Sequence, residues 1–553
     1  MAEPRTINGL IEDTIRRYPQ RPALGMAFAL PLTYARLGEA IRSLAAALSA
    51  RGLTTGQTVA ILAENSPQWG IAYLAITGCG GVAVPILPDF PESDIHHILH
   101  EAEVRFVFTS DRYLDKVLEF KGRQLAGVFT LDDSDPEHRH STATVSALLD
   151  QGATLLADPT ATISPRPAGP ADTAAIIYTS GTSGHAKAVM LSHANISANV
   201  RSAQAIVALG PAATFLSILP LAHTYEFTLG FVLPLAQGGR VVYCDKAPTP
   251  TVLEKICRQE RPDFICAVPM VMDKIYKKKV LPAINASFWL RHLVKCPWSR
   301  RLVLRRIGAK LVHFFGGNLK AMAIGGAALN IETETFLREA GFPYMAGYGL
   351  TETAPLLAVG RVGDPSVALG SVGPPVPGVT IRIADPDPQT GVGQVMARGD
   401  NVMQGYYQNP TLTAETIDQE GWLATGDLGF FDELGNLHVR GRSKSVIVLS
   451  HGENIYPEVI EEKINAVAEV VESLVVERDG RLEALVYLDY ELVDQQATGR
   501  DGQLQHVQQL LASIKTAVNQ GLPLYSRLHQ VRERTEPFIK TATHKIKRYL
   551  YQQ

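Results

Sequence analysis

Tyr178-Thr-Ser-Gly-Thr-Ser-Gly-His-Ala-Lys187 follows the apolar run Ala174-Ala-Ile-Ile177, and its reading decides the fold. Thr179, Ser180, Thr182 and Ser183 bring four hydroxyls, Gly181 and Gly184 bring bare backbone, and Lys187 brings a point charge. Backbone N–H groups that an anion can approach, hydroxyl donors and an ammonium together make a phosphate cradle. The order and spacing differ from the GxxxxGK(S/T) loop, so P-loop NTPase chemistry is not implied.

Outward from that loop, apolar runs alternate with helical spacing. Strands are expected at 58–63, 81–86, 104–109, 240–243 and 263–268, and a helix over 251–261. The alternation predicts an α/β fold of two layered subdomains with largely parallel sheets. Over 370–439 glycines and prolines punctuate short strands, which predicts a β-rich subdomain. The chain then changes character, with a helix over 459–467, two strands within 471–488 around Asp479-Gly480, and a helix over 505–522. The expected division is a large N-terminal domain, 1–441, and a small α+β C-terminal domain, 442–553. Proline-rich 159–170 reads as an exposed connector, and Arg440-Gly441-Arg442-Ser443-Lys444 as a linker in which Gly441 permits rotation.

The 553 residues carry 52 Lys+Arg against 55 Asp+Glu, a formal charge of −3, with 46% hydrophobic residues. That excludes a disordered or collagen-like chain and leaves room for about three or four structural units. Cys79, Cys244, Cys257, Cys266 and Cys296 are scattered without a CxxC pair, which argues against a disulfide framework or zinc ribbon and for a reducing cytosol. Glu3, Glu12 and Asp13 interrupt the stretch a secretory signal needs. The most apolar window, 71–87, is broken by glycines and Pro85 and reads as helix, turn and strand, short of a membrane span. A cytoplasmic protein with no nucleic-acid partner is expected. His96 and His100 share a helical face without a third ligand and read as surface.

The phosphate loop has company. Leu219-Pro-Leu-Ala-His-Thr-Tyr-Glu226, Gly347-Tyr-Gly-Leu-Thr-Glu-Thr353, Gly426-Asp427, Gly441-Arg442 and Lys540-Thr-Ala-Thr-His-Lys545 follow in order. Together these blocks resemble the adenylate-forming superfamily of acyl-CoA synthetases, peptide-synthetase adenylation domains and beetle luciferases, over practically the whole chain. The resemblance implies ATP, Mg²⁺ and coenzyme A as co-substrates and cofactors. It implies that Tyr348, beside Gly349, stacks on adenine, that Thr351 binds the α-phosphate, and that Glu352 helps hold Mg²⁺. Asp427 and Arg442 would take the ribose hydroxyls, and Gly325-Gly326-Ala327 would pass beside the adenine. His223 would position the substrate carboxylate, and Lys545 would bridge that carboxylate and the α-phosphate. Lys444 would be the hinge about which a mobile C-terminal domain swings, and Gly452, within Ser450-His-Gly-Glu-Asn-Ile-Tyr-Pro457, would border the coenzyme A tunnel. The residue types suit these tasks: a flat ring for a base, a hydroxyl for a phosphate oxygen, a hard carboxylate for a hard cation.

Departures flank the functional positions. His185, Ala186 and Ala188 stand where relatives have a small residue, Pro and Gly; Ser445 replaces an Asp, and His544 replaces a Gly. They bear on rate and loop mobility rather than on reaction type. The His223 and Lys545 blocks resemble bacterial long-chain fatty acyl-CoA ligases, which implies a medium-to-long fatty acid as substrate. Open alternatives are an acyl-acyl carrier protein synthetase or fatty acyl-AMP ligase, an aromatic-acid ligase, a luciferase-like oxygenase and a catalytically silent nucleotide-binding homologue. From Lys274 to Ile331 there are twelve Lys or Arg and no Asp or Glu, which leaves the rest of the chain at −15. Lys277, Lys278, Lys279, Arg291, Lys295, Arg300, Arg301, Arg305, Arg306 and Lys310 alternate with large apolar residues. The 274–320 region therefore reads either as a solvated helical face or as a surface for an acidic partner: carrier protein, or the anionic inner face of a membrane.

Overall fold

The computed structural model describes residues 5–122, 124–132, 143–161, 167–179, 187–244, 249–448, 454–496, 500–541 and 545–552. Two eight-stranded sheets dominate it. In the first, Val82–Pro85, Thr58–Leu62, Phe106–Thr109, Gly127–Thr130 and Ala143–Thr144 run parallel; Thr173–Thr179 joins parallel to Val82–Pro85 and then pairs antiparallel with Lys187–Ser192. In the second, Pro22–Met26, Arg240–Tyr243, Thr214–Ser217, Phe264–Ala267, Ala321–Ile324 and Tyr344–Gly349 are parallel, closed by antiparallel Leu356–Val359. Four-residue strands of Val, Ile, Phe and Ala, buried on both faces, are what a helix-covered parallel sheet requires.

Helix Pro67–Gly78 is apolar on every side because it is wedged between the sheets. Ser66 caps it, its side chain accepting from the Trp69 N–H, and Pro67 supplies a preset first turn. Trp69 and Tyr73 stack at 5.7 Å, and Phe227 and Phe231 of the helical segment Phe227–Val232 close the cluster, all four fully buried. One core thus joins both layers and fixes their relative position.

A four-stranded antiparallel sheet, Val379–Ala384, Gly393–Gly399, Leu423–Phe431 and Leu437–Arg442, is the β-rich part. The expected linker at 440–444 is not loose chain. Arg440, Gly441 and Arg442 complete its last strand, because Arg442 pairs in register with Asp427 and their side chains form an ion pair at 3.0 Å. The turn Ser443–Ser445 follows. Beyond it, Val470–Arg478, Arg481–Leu488 and Leu528–Arg534 form a three-stranded sheet with helices Pro457–Asn465 and Arg500–Gln520, built around its own apolar core.

The acid-free stretch divides. Its first lysines face the C-terminal unit: Lys277 donates to the Asn465 and Val467 carbonyls at the end of helix Pro457–Asn465, and Lys278 pairs with Asp489 at 2.7 Å. These two do not belong to an outward surface, contrary to the reading of the stretch as one face. Helix Phe288–Lys295 points outward, and Pro297–Phe314 does so on one face while burying Val303, Leu304, Gly308 and Leu311 on the other. The first buries none of its residues, and Trp289 and Trp298 are 75% and 93% exposed.

Candidate active site

The two large sheets, the β-rich sheet and the C-terminal unit enclose a single cleft of ≈ 2670 Å³. Strand ends and the turns after them supply its polar residues. Tyr344–Gly349 runs into the turn Thr351–Thr353, placing Tyr348, Thr351 and Glu352 on the wall. Two buried asparagines that sequence reading did not single out hold that turn. Asn199 and Asn401 both donate to the carbonyls of Thr353 and Leu356, and Asn199 accepts from the Leu356 N–H. Gly349 is there for packing: a Cβ would run into the Pro355 carbonyl oxygen.

The Tyr348 hydroxyl donates to Asp427 Oδ2 at 2.7 Å, and Arg442 Nε contacts Asp427 Oδ1 at 3.0 Å. The three expected nucleoside-binding residues therefore meet at one buried carboxylate. Gly325, Gly326 and Ala327 line the same wall, and Gly326 has φ +88°, a conformation suited to glycine. Tyr225 backs them, donating to the Ala323 carbonyl at 2.8 Å.

His223 caps the short helix Thr224–Glu226 and its Nδ1 accepts from the Tyr225 N–H at 3.3 Å. With Nδ1 accepting, the ring proton sits on Nε2. Burial, and then the nearby Lys545 charge, lower the His223 pKa to about 4, so the imidazole is neutral at pH 7. A neutral ring with one N–H to offer suits holding a carboxylate better than taking a proton.

Lys545 reaches the cleft from the C-terminal unit and keeps its surface exposed to the cleft interior. Its pKa is lowered by burial and by Arg442, against the opposing charges of Asp427 and Glu352. Lys187, at the start of Lys187–Ser192, is likewise lowered by burial; Glu352 opposes this, and Lys444 and Arg442 add to it. Four cations thus converge on one void, an arrangement that an anion between them stabilises. Among the described residues no group of three or more His, Cys, Asp or Glu clusters as a metal cage. A Mg²⁺ ion fits Glu352 plus phosphate oxygens, the usual way this ion is held beside a nucleotide.

Thr179 and Lys187 pair across two antiparallel strands, with the Thr179 hydroxyl donating to the Lys187 carbonyl at 3.4 Å. The two described ends of that segment therefore sit on neighbouring antiparallel strands. Ser180, Gly181, Thr182, Ser183 and Gly184 of that loop, and Gly452 on the coenzyme A side, lie outside the described residues, as do His185, Ala186 and His544.

The lining of the cleft also includes apolar Val207, Leu229, Leu233, Phe264, Met345 and Val359. These residues come from five separated segments, which is why the sequence left the pocket undefined. Glu226 also lines the cleft, fully buried, with the Ser217 hydroxyl near its carboxyl. Burial raises its pKa to about 8, with the Ser217 hydroxyl partly opposing.

A cleft that gathers cations around a buried carboxylate and is lined in part by apolar residues fits a nucleotide-dependent, acid-activating class. Residues 11–407 match the model of the AMP-binding enzyme family, and the chain belongs to that family. It is 29% identical over 540 residues to "Long-chain-fatty-acid--CoA ligase FadD15" of Mycobacterium tuberculosis, covering 91% of this chain and 86% of that protein. It is 26% identical over 559 residues to "Long-chain-fatty-acid--[acyl-carrier-protein] ligase AEE15, chloroplastic" of Arabidopsis thaliana, covering 86% and 75%. Among solved structures, ATP-bound MatB of Rhodopseudomonas palustris superimposes with TM-score 0.76 at 24% identity over 99% of this chain and 98% of that one. The anthranilate CoA ligase AuaEII with anthranoyl-AMP gives 0.80 at 18%, over 100% and 97%.

Proposed function

We propose that the protein is an ATP-dependent acid–thiol ligase that activates a medium-to-long-chain fatty acid as acyl-AMP and passes the acyl group to coenzyme A. The observation that carries the reading is the closeness of Lys545 and His223 in one cleft whose lining is partly apolar. A carboxylate is already ionised at pH 7 and attacks the α-phosphorus of ATP in line; the bond to the β-phosphate oxygen breaks and pyrophosphate leaves. His223 Nε2–H holds the carboxylate, Thr351 the α-phosphate, and Lys545 stabilises the charge that develops between them. Tyr348 offers its ring to adenine, beside Gly325, Gly326, Ala327 and Gly349, and Asp427 and Arg442 offer partners to the ribose. Residues 179–187 cradle the phosphates, and Mg²⁺ at Glu352 neutralises charge on them. The thiol of coenzyme A then attacks the acyl carbon and AMP leaves, after the C-terminal domain, 442–553, has swung about Lys444 away from the N-terminal domain, 1–441. That brings the Gly452 side to the thiol.

Pyrophosphate release from MgATP, with acids from acetate through palmitate to benzoate and 4-coumarate and with or without coenzyme A, tests this. Turnover that grows with chain length and needs coenzyme A is the expected result. One equivalent and a stall with every acid shifts the acceptor to acyl carrier protein, preference for benzoate or 4-coumarate shifts the acid, and no release overturns the enzyme reading.

Helices Phe288–Lys295 and Pro297–Phe314 support peripheral contact with an anionic membrane, from which a fatty acid is drawn. Exposed Phe288, Trp289, Trp298 and Leu302 sit among Arg291, Lys295, Arg301, Arg305 and Arg306, the pairing of aromatic and basic groups that an interface favours. Arg300 is not available, since it is engaged side-on by Glu339 at 2.7–3.1 Å. Among the described residues no helix is long and apolar enough to cross a membrane. Flotation with anionic vesicles that is lost in Arg301→Ser/Arg305→Ser/Arg306→Ser is the expected result; flotation unaffected by the changes sinks this contact.

A further inference from the structure

Tyr406 belongs to none of the blocks that carry the resemblance, yet it touches two of the groups assigned to the nucleotide. It is 4% exposed, its hydroxyl donates to Glu352 Oε1 at 3.0 Å, and Lys187 Nζ lies 4.9 Å from its ring centroid. The backbone around it is stitched in the same two directions. Met403 N–H donates to the Glu352 carbonyl at 2.9 Å, while Gly405 and Tyr406 pair antiparallel with Met190 and Val189 of the strand that begins at Lys187. Gly405, at φ +142°, has Thr413 where a Cβ would go, and the Tyr406 N–H donates to the Thr413 hydroxyl at 2.9 Å. The ring is therefore held from behind and presented to the cleft.

Lys187 senses the Glu352 charge, but among the described residues no ion pair joins them. The phenol stands between: its ring face takes the ammonium through the quadrupole, and its hydroxyl takes one carboxylate oxygen and leaves the other open. We propose that Tyr406 is a positioning residue that keeps Lys187 and Glu352 apart and aimed, so that the cation meets phosphate and the carboxylate meets Mg²⁺ instead of each other. The inference rests on the reading of Glu352 as the Mg²⁺-facing carboxylate and Lys187 as the phosphate-facing lysine. It assigns the two edges of one side chain to two ligand groups, and so predicts separable losses.

Calorimetric titration of ATP with Mg²⁺ and with EDTA separates them without relying on turnover. Tyr406→Phe keeps the ring and loses the hydroxyl: the gain in ATP affinity brought by Mg²⁺ is expected to shrink about tenfold, while affinity in EDTA holds. Tyr406→Leu removes the ring face as well, and affinity in EDTA is expected to fall too as the lysine closes on the carboxylate. Glu352→Gln serves as the control and is expected to lose the Mg²⁺ gain. If Glu352→Gln loses it while Tyr406→Phe keeps it, the role of Tyr406 is overturned. Retention of the gain in Glu352→Gln overturns instead the assignment of Glu352. Equal losses with and without Mg²⁺ in Tyr406→Phe, with an unchanged melting temperature, assign the residue to cleft shape and also overturn the proposal.

Discussion

Glu226 is held protonated where most glutamates are not, and that proton couples stability to pH. Its folded pKa is about 8 against an ordinary value of 4.5, so between those pH values the folded chain holds a proton that the unfolded chain has released. Stability falls as pH rises through that window and is fully present below it. His223 and His193 act in the opposite sense. Both are lowered by burial from 6.5 to about 4, so the unfolded chain takes up protons first and stability falls as pH drops from 6.5 to 4. From these three groups, stability is greatest near pH 6.5. Between pH 6.5 and 8 the wild type is expected to lose about 1 kcal/mol from these groups, and Glu226→Gln to lose none. Urea unfolding at the two pH values checks this, and parallel slopes would count against a buried neutral acid. The resemblance made His223 legible and left Glu226 three residues on without a role, because its character comes from complete burial in the folded chain, which local sequence does not announce.

At the level of elements, the hairpin of Tyr344–Gly349 and Leu356–Val359 presents Tyr348, Thr351 and Glu352 together, and its closure depends on Gly349. Gly349→Ala is expected to destabilise the protein by about 2–3 kcal/mol and to weaken ATP binding, because the strand must shift to free the Pro355 carbonyl. Thermal unfolding and ATP titration of the same variant read both; an unchanged melting temperature would contradict the close approach. Elements of this kind were mostly legible in sequence. The strands expected at 58–63, 240–243 and 263–268 stand at Thr58–Leu62, Arg240–Tyr243 and Phe264–Ala267, and the turn at Asp479-Gly480 separates Val470–Arg478 from Arg481–Leu488. Short β-branched runs bounded by glycine carry that signal themselves. The extension of Leu437–Arg442 into the expected linker was not legible, since it depends on the partner strand bearing Asp427. Neither were Asn199 and Asn401, whose spacing in sequence says nothing of the turn they share.

For the molecule as a whole, the C-terminal unit contributes Lys545 to a cleft that it shares with the rest of the chain. Lys277 at the C-terminal end of helix Pro457–Asn465, Lys278 on Asp489, and Glu462 facing the N-terminus of Ile331–Ala340, where the Ile331 N–H offsets its burial, hold that unit over the cleft. Cations at helix C-termini and carboxylates at N-termini are favourable placements. With the swing proposed above, Lys277→Met/Lys278→Met is expected to slow adenylation several-fold in single turnovers while transfer from preformed acyl-AMP to coenzyme A holds or quickens. Equal slowing of both steps would show that these lysines do not favour the first pose. The seam they form is largely one of charges and carbonyls, and such a seam answers to something outside the protein. Dissolved electrolyte screens it, the more so as the Debye length falls below about 10 Å near 0.1 M. On the swing proposed above, ionic strength becomes a throttle: too little lets the cover cling after acyl-AMP has formed, too much lets it drift before, and turnover measured across a salt series is expected to peak in between.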